Sequence, residues 1–260
     1  MIFFSPYQAT NIMEFWRRWH MTLSRFLRDY LYIGLGGNRR GTVRRYTNLI
    51  ITMLLGGLWH GASWTFVIWG GLHGCYLMIN HAWLAVSRKS PVIATFRRSP
   101  AGAGFGWALT FLAVIVGWVF FRAPSLNVAF TILKGMTGQN GIAIPAGLAF
   151  ALEPMHGLVA ALGITFANES GTEFIKAYLW VVSLLAIALL APNTQQLMRD
   201  YEPVLDRPGT PTMEVGDERR PALLRLRWVP SPGWAIATGA LAFLGTISIT
   251  RVSEFLYWQF

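Results

Sequence analysis

The sequence predicts an all-α, multi-pass membrane protein, and three observations carry that prediction. First, the 260-residue chain is 53% hydrophobic and only 13% charged, where soluble domains carry about 25% charged residues. Its mean hydropathy is correspondingly positive, at +0.41. Second, the 22 basic residues outnumber the 12 acidic ones and sit mostly between apolar runs, as the positive-inside bias of membrane proteins places them. Third, 12 Trp, 8 Tyr and 17 Phe supply the amphipathic rings that collect at headgroup level. A net charge of +10 on a soluble chain would suggest nucleic acid. No recognition motif or zinc spacing accompanies it here, so the expected partner is the lipid bilayer. The lone cysteine, Cys75, excludes an internal disulfide and any multi-cysteine metal site. Its apolar surroundings predict a buried, inert thiol.

Taken in order, residues 1–7 are apolar but short, lack a basic lead, and do not make a signal peptide. So abrupt a start is expected of a chain with further sequence upstream. Residues 11–32 alternate apolar residues with Arg17, Arg18, Arg25 and Arg28 at helical spacing, which predicts an amphipathic helix lying in the interface. Residues 34–41 are a glycine-rich turn carrying Arg39 and Arg40, and Arg44 and Arg45 follow it. Residues 46–58 are apolar but well short of the ~20 that a full span needs, whereas 64–86 are long enough to cross alone. Both outer flanks of this pair are basic, so it reads as a re-entrant arm or hairpin with its tip at 56–63. Irregular backbone at membrane depth requires surrounding protein or a water-filled cavity, and a cavity beside His60 is implied.

Residues 87–104 read as a polar connector and 105–121 as a span. Residues 125–171 resemble an outer-face loop, in which 142–150 or 157–166 dip toward the bilayer. Residues 174–191 and 234–249 are further spans, separated by a polar, partly disordered cytoplasmic loop over 193–229. The whole is expected to form one integral membrane domain over 1–260, with a motif-rich segment at 1–86 and further spans over 87–260.

Three histidines stand among tryptophans, glycines and arginines: His20, His60 and His73. An ionisable ring inside the membrane is costly, which makes His60 the first functional candidate. A histidine in an enclosed, semi-dry site can take the proton of a hydroxyl as that oxygen attacks an acyl carbonyl. Gly57 and Gly61 allow close approach, and Trp59 and Trp64 are expected to wall out water. The competing reading is a structural histidine bonded to a carbonyl of a neighbouring helix. His20 is either an interfacial histidine or part of donor or acceptor binding, and His73 reads as structural packing. His81 and His156 belong to no constellation. No close histidine pair has i, i+4 spacing and no acidic cluster joins them, so no metal is expected. The arginine patch, with Arg17, Arg18, Arg28 and Arg39 as candidate donor-binding residues, suits a phosphorylated acyl donor such as coenzyme A, or else anchors to anionic lipid.

The runs Phe4-Ser5-Pro6-Tyr7, Phe15-Trp16-Arg17-Arg18-Trp19-His20-Met21-Thr22-Leu23-Ser24, Leu27-Arg28-Asp29-Tyr30-Leu31-Tyr32-Ile33, Leu35-Gly36-Gly37-Asn38-Arg39 and Gly56-Gly57-Leu58-Trp59-His60-Gly61 closely resemble the membrane-bound O-acyltransferase family, in its alginate O-acetyltransferase type. Weaker likeness extends to residues 117–122 and 255–260. The resemblance implies a cytoplasmic acetyl donor such as acetyl-CoA as substrate rather than a bound cofactor. It also implies a glycan acceptor, a periplasmic acetyltransferase partner, and residence in the bacterial inner membrane. His60 matches the family's catalytic histidine and His20 its second; Trp19 and Asp29 join Trp59 and Trp64 in the expected cavity lining. Family members carry several helices before the Phe-Ser-Pro motif, so the chain is expected to be the C-terminal part of a longer protein. Rival readings are D-alanyl transfer to teichoic acid and a non-catalytic membrane scaffold.

Overall fold

The computed structural model describes residues 3–152, 154, 156–167, 171–198 and 226–248, and these are mostly helical. They fall into two compact units, Ile2–Leu189 and the residues from Leu190 onward.

The first unit opens with a 3-10 turn, Pro6–Gln8, and helix α1, Ile12–Arg18. Asn11 caps α1 by accepting the Glu14 N–H at 3.0 Å, and Glu14 pairs with Arg18 one turn on. The continuous amphipathic helix expected over 11–32 is broken at Trp19 and His20. The Trp19 N–H closes α1 on the Phe15 carbonyl, and His20 takes a left-handed conformation at φ 39° before α2, Met21–Phe26, begins. A π-helical turn, Leu27–Tyr32, continues it. The left-handed residue costs on the order of 1–2 kcal/mol. The break lets Ile12 and Phe15 turn into the core while the arginines stay outside.

Gly36 and Gly37, both at positive φ, turn the chain into α3, Gly41–Trp59. The apolar run judged too short to span is therefore extended by a polar first turn to a helix of 19 residues. After a short loop, α4, Trp64–Lys89, doubles back along it. A glycine seam brings the two backbones together: a Cβ on Gly57 would lie 2.2 Å from the Phe66 carbonyl oxygen, and one on Gly70 2.2 Å from that of Met53. Gly74 continues the seam one turn on, beneath Ile50. Close backbone packing through small residues is how helices associate where lipid removes the hydrophobic drive.

The expected polar connector at 87–104 is helical instead. Ser90 and Ser99 each cap a new helix that has proline in its first turn: α5, Pro91–Arg98, and α6, Pro100–Arg122. Along α6, Thr110, Val114, Gly117 and Phe120 recur every three or four residues and bury one face against the unit. One core cluster joins Ala9, Ile12, Phe15, Met53, Leu77 and Val114; a second joins Trp69, Phe120, Ala123 and Ala129. Thus α1 lies over the helices that carry the glycine seam.

Helix α7, Leu126–Met136, leads to a departure from the all-α expectation. Strand β1, Ile142–Pro145, is followed by a 3-10 turn and the short helices α8, Ala149–Leu152, and α9, His156–Ala161. It then pairs in parallel with β2, Ile164–Ala167, Ile142 facing Ile164. Gly141 and Gly163, both at positive φ, open the strands, and Ile142, Ile144, Ile164 and Phe166 are strand-favouring residues. The stretches expected to dip toward the bilayer hold this pair. Helix α10, Gly171–Leu190, ends the unit.

In the second unit, Asn193 and Gln196 form a capping box on α11, Thr194–Leu197, and the Trp228 N–H donates to the Leu197 carbonyl at 2.9 Å. Most of the expected loop over 193–229 lies outside the described residues, as do residues 255–260. Helix α12, Pro232–Ser248, follows. Among the described residues, α6 and α10 are long and apolar enough to cross a membrane. Helix α4 has the length, but His73, Asn80 and His81 interrupt its apolar run.

Candidate functional site

His60 caps the C-terminus of α3, its N–H donating to the Gly57 carbonyl at 2.9 Å, and only 6% of the residue is exposed. Four aromatic rings enclose the imidazole. The Trp59 and Phe121 centroids are each 5.0 Å away, Trp69 is at 5.4 Å, and Phe66 at 6.3 Å. Gly61 permits this closeness, since a Cβ there would lie 2.6 Å from the Phe66 ring. Trp69 is fixed from behind by Trp16, His73 and Phe121. Phe121, at the last turn of α6, touches His60, Phe66, Trp69 and Trp118.

His20 belongs to the same assembly. A file of rings connects it to His60: Phe3 packs on His20 and on Trp19, Trp19 on Trp118, and Trp118 on Phe121. The His20 Nδ1 accepts the Leu23 N–H at 3.3 Å, so α2 is capped by the imidazole itself. A ring nitrogen that accepts a backbone N–H carries no proton, which assigns the proton of the neutral ring to Nε2. His20 is thereby set up as a hydrogen-bond donor.

His73 is 1% exposed, stacked on Phe15 and edge-on to Trp16 and Trp69. A Cβ on Gly117 would come within 2.8 Å of its Nε2, so it serves the packing of α4 on α6. Of the expected lining residues, Trp19 lies in the file of rings and Trp59 touches His60 while 59% exposed. Trp64, at the start of α4, is 72% exposed and makes no ring contact among the described residues. Asp29 is exposed and engaged by Arg28, whose Nε donates at 2.7 Å. That hydrogen bond holds the Asp29 carboxyl below its ordinary range and raises the Arg28 guanidinium above its own. Cys75 is exposed on α4, contrary to the buried thiol expected, because its side of the helix faces away from the glycine seam.

Arg17, Arg25, Arg28, Arg39, Arg40 and Arg44 are exposed; Arg18 is half-buried, paired with Glu14 and set over the Phe4 ring. Arg39 and Arg40 ride on the glycine turn, which Asn48 of α3 clamps. Its buried Nδ2 donates to the Leu35 and Gly37 carbonyls at 3.2 and 3.0 Å. Asn48, Phe66, Trp69 and Phe121 are contributors that the sequence reading missed. The only advance signal was a polar Asn within an apolar run, and the Gly117–Arg122 run at the end of α6. Among the described residues, no three His, Cys, Asp or Glu side chains converge as a metal site would require.

The comparisons with known proteins fall on this part of the chain. Residues 3–120 match the sequence model of the membrane-bound O-acyltransferase family. A peptidoglycan O-acetyltransferase of Helicobacter pylori is 49% identical over 146 residues, covering 55% of this chain and 26% of its own length. A probable alginate O-acetylase AlgI of Azotobacter vinelandii is 52% identical over 134 residues, 52% of this chain and 25% of that protein. A teichoic acid D-alanyltransferase of Streptococcus thermophilus is 32% identical over 142 residues, 50% of this chain and 34% of that one. The chain thus spans about a quarter to a third of the length of these relatives. The family match thus falls on residues 3–120, the stretch that carries His20, His60 and the arginine turn.

Proposed function

We propose that the chain serves O-acetyl transfer in a bacterial inner membrane, moving an acetyl group from a cytoplasmic thioester, acetyl-CoA, to a hydroxyl of an exported glycan. The observation that supports this reading is the ring-enclosed His60 at the tip of the α3–α4 hairpin, joined through a file of rings to His20, whose Nδ1 accepts the Leu23 N–H. His60 takes the hydroxyl proton as the acceptor oxygen attacks the acetyl carbonyl carbon. The new C–O bond forms, the C–S bond breaks, and the proton passes from His60 to the departing thiolate. His20 Nε2–H donates to the carbonyl oxygen as charge gathers on it. Alternatively, His60 itself accepts the acyl group before passing it on. Arg17, Arg18, Arg28 and Arg39 grip the phosphates of the donor. The hairpin enters the membrane from its basic, cytoplasmic ends, and a periplasmic acetyltransferase partner receives the glycan on the other side.

D-alanyl transfer to teichoic acid is the second reading, and the likeness to the Streptococcus thermophilus protein favours it. Membranes carrying the chain, supplied with labelled acetyl-CoA or a D-alanyl carrier protein and an outer-face acceptor, distinguish the two. Acetyl label on the acceptor that is lost in His60→Ala is the expected result. Label that persists in a folded His60→Ala protein removes His60 from the chemistry, and use of the carrier alone moves the assignment to D-alanylation.

A further inference from the structure

We propose that Phe121 sets the size of the acyl group that reaches His60, restricting the site to short acyl chains; this rests on the acetyl-transfer reading. The rings around the imidazole are not equivalent. Trp69 is 3% exposed and locked by Trp16 and His73. Phe66 is pinned over Gly61, on a hairpin whose backbones already touch at Gly57 and Gly70. Trp59 is 59% exposed and lies on the outer side. Phe121 is half-buried, comes from a different helix, and sits in its last turn, just before Pro124 ends the run. It is also the ring that closes on both Phe66 and Trp69, at 5.1 and 5.2 Å, and so completes the wall beside His60.

An acyl chain that enters on the inner side of His60, away from the exposed Trp59, meets this wall with its tail. A fixed aromatic wall accepts a methyl group more readily than a longer tail, since each added methylene has to displace ring carbons from a packed contact. Hydrophobic pockets discriminate by roughly 10–200-fold per methylene. Removing the phenyl ring takes away one contact to His60 and opens space beside it, so the ratio of acyl groups used, rather than the rate, reports the size of that space.

The test is competition between acetyl-CoA and propionyl-CoA in membranes carrying the full chain, with the products separated by mass, for wild type and the graded series Phe121→Leu, Phe121→Val and Phe121→Ala. A ratio taken within one sample does not depend on how much protein has folded. The propionyl-to-acetyl ratio is expected to rise along the series and to reach at least about 10-fold over wild type in the alanine variant. A ratio that stays at the wild-type value while transfer continues overturns the proposal. So does loss of all transfer in every variant beside an active wild type, because Phe121 is then required for something other than size. A wild-type chain that transfers no acyl group from either donor overturns the underlying acetyl-transfer reading instead.

Discussion

In the proposed reaction His20 would serve two tasks with two nitrogens, the observed Nδ1 cap of α2 and donation from Nε2, and they can be separated. Asn at this position caps helices well and tolerates the left-handed conformation, yet has no group at the Nε2 position. His20→Asn is therefore expected to keep the melting temperature within a few degrees of wild type while transfer falls at least about tenfold. His20→Gln reaches toward the Nε2 position but loses the cap, so it is expected to melt earlier by the ~1 kcal/mol of a lost N-cap. Nitrogen NMR on histidine-labelled protein checks the tautomer directly: a neutral His20 protonated on Nδ1 would contradict the assignment. A second contrast concerns the arginines. Arg28 already spends its guanidinium on Asp29, whereas Arg39 forms no ion pair among the described residues. Arg39→Ala is expected to raise the donor KM more than Arg28→Ala, with kcat less affected; equal effects would place the phosphates elsewhere. His60 stood out in the sequence as an ionisable ring between glycines inside apolar runs, with a structural histidine as the competing reading, and the structure adds the four rings around it. Phe121 was not, since it lies far along the chain and meets His60 only once α6 folds back on the hairpin.

At the scale of elements, the α3–α4 hairpin was foreseeable from two apolar runs around a glycine-rich tip with basic flanks. The break between α1 and α2 was not. Helical periodicity runs through Trp19 and His20, and nothing in the spacing marks a left-handed histidine. The Ser-Pro pairs at Ser90 and Ser99 were visible, but in a polar stretch they read as a connector rather than as two helix starts. The clamp on the glycine turn yields a prediction of its own. Asn48→Ala leaves the Leu35 and Gly37 carbonyls without their buried donor, at a cost of about 1–3 kcal/mol. It is expected to raise the donor KM by loosening the turn under Arg39, while Asn48→Ser is expected to recover part of that loss. Steady-state kinetics of the two variants side by side provide the check, and a change in kcat alone would speak against the clamp.

At the scale of the whole molecule, the composition had already assigned the chain to the membrane, and the family match agrees. The described part of α10 shows why: no residue of its apolar window is buried within the protein. Lipid or another apolar surface has to cover it, so the chain is expected to stay in the pellet on alkaline carbonate extraction. Release into the supernatant would contradict membrane integration. The two short strands were not foreseen, because four-residue runs such as Ile142–Pro145 cannot be told from pieces of helix by periodicity alone. The glycine seam has a consequence of a genetic kind. Every amino acid that can replace Gly57 or Gly70 brings at least the one carbon that collides with a neighbouring backbone. These two positions thus have no neutral amino-acid replacement. A saturation library scored for acetylation should show them as empty columns, a signature of where two helices touch that can be read without looking at the molecule.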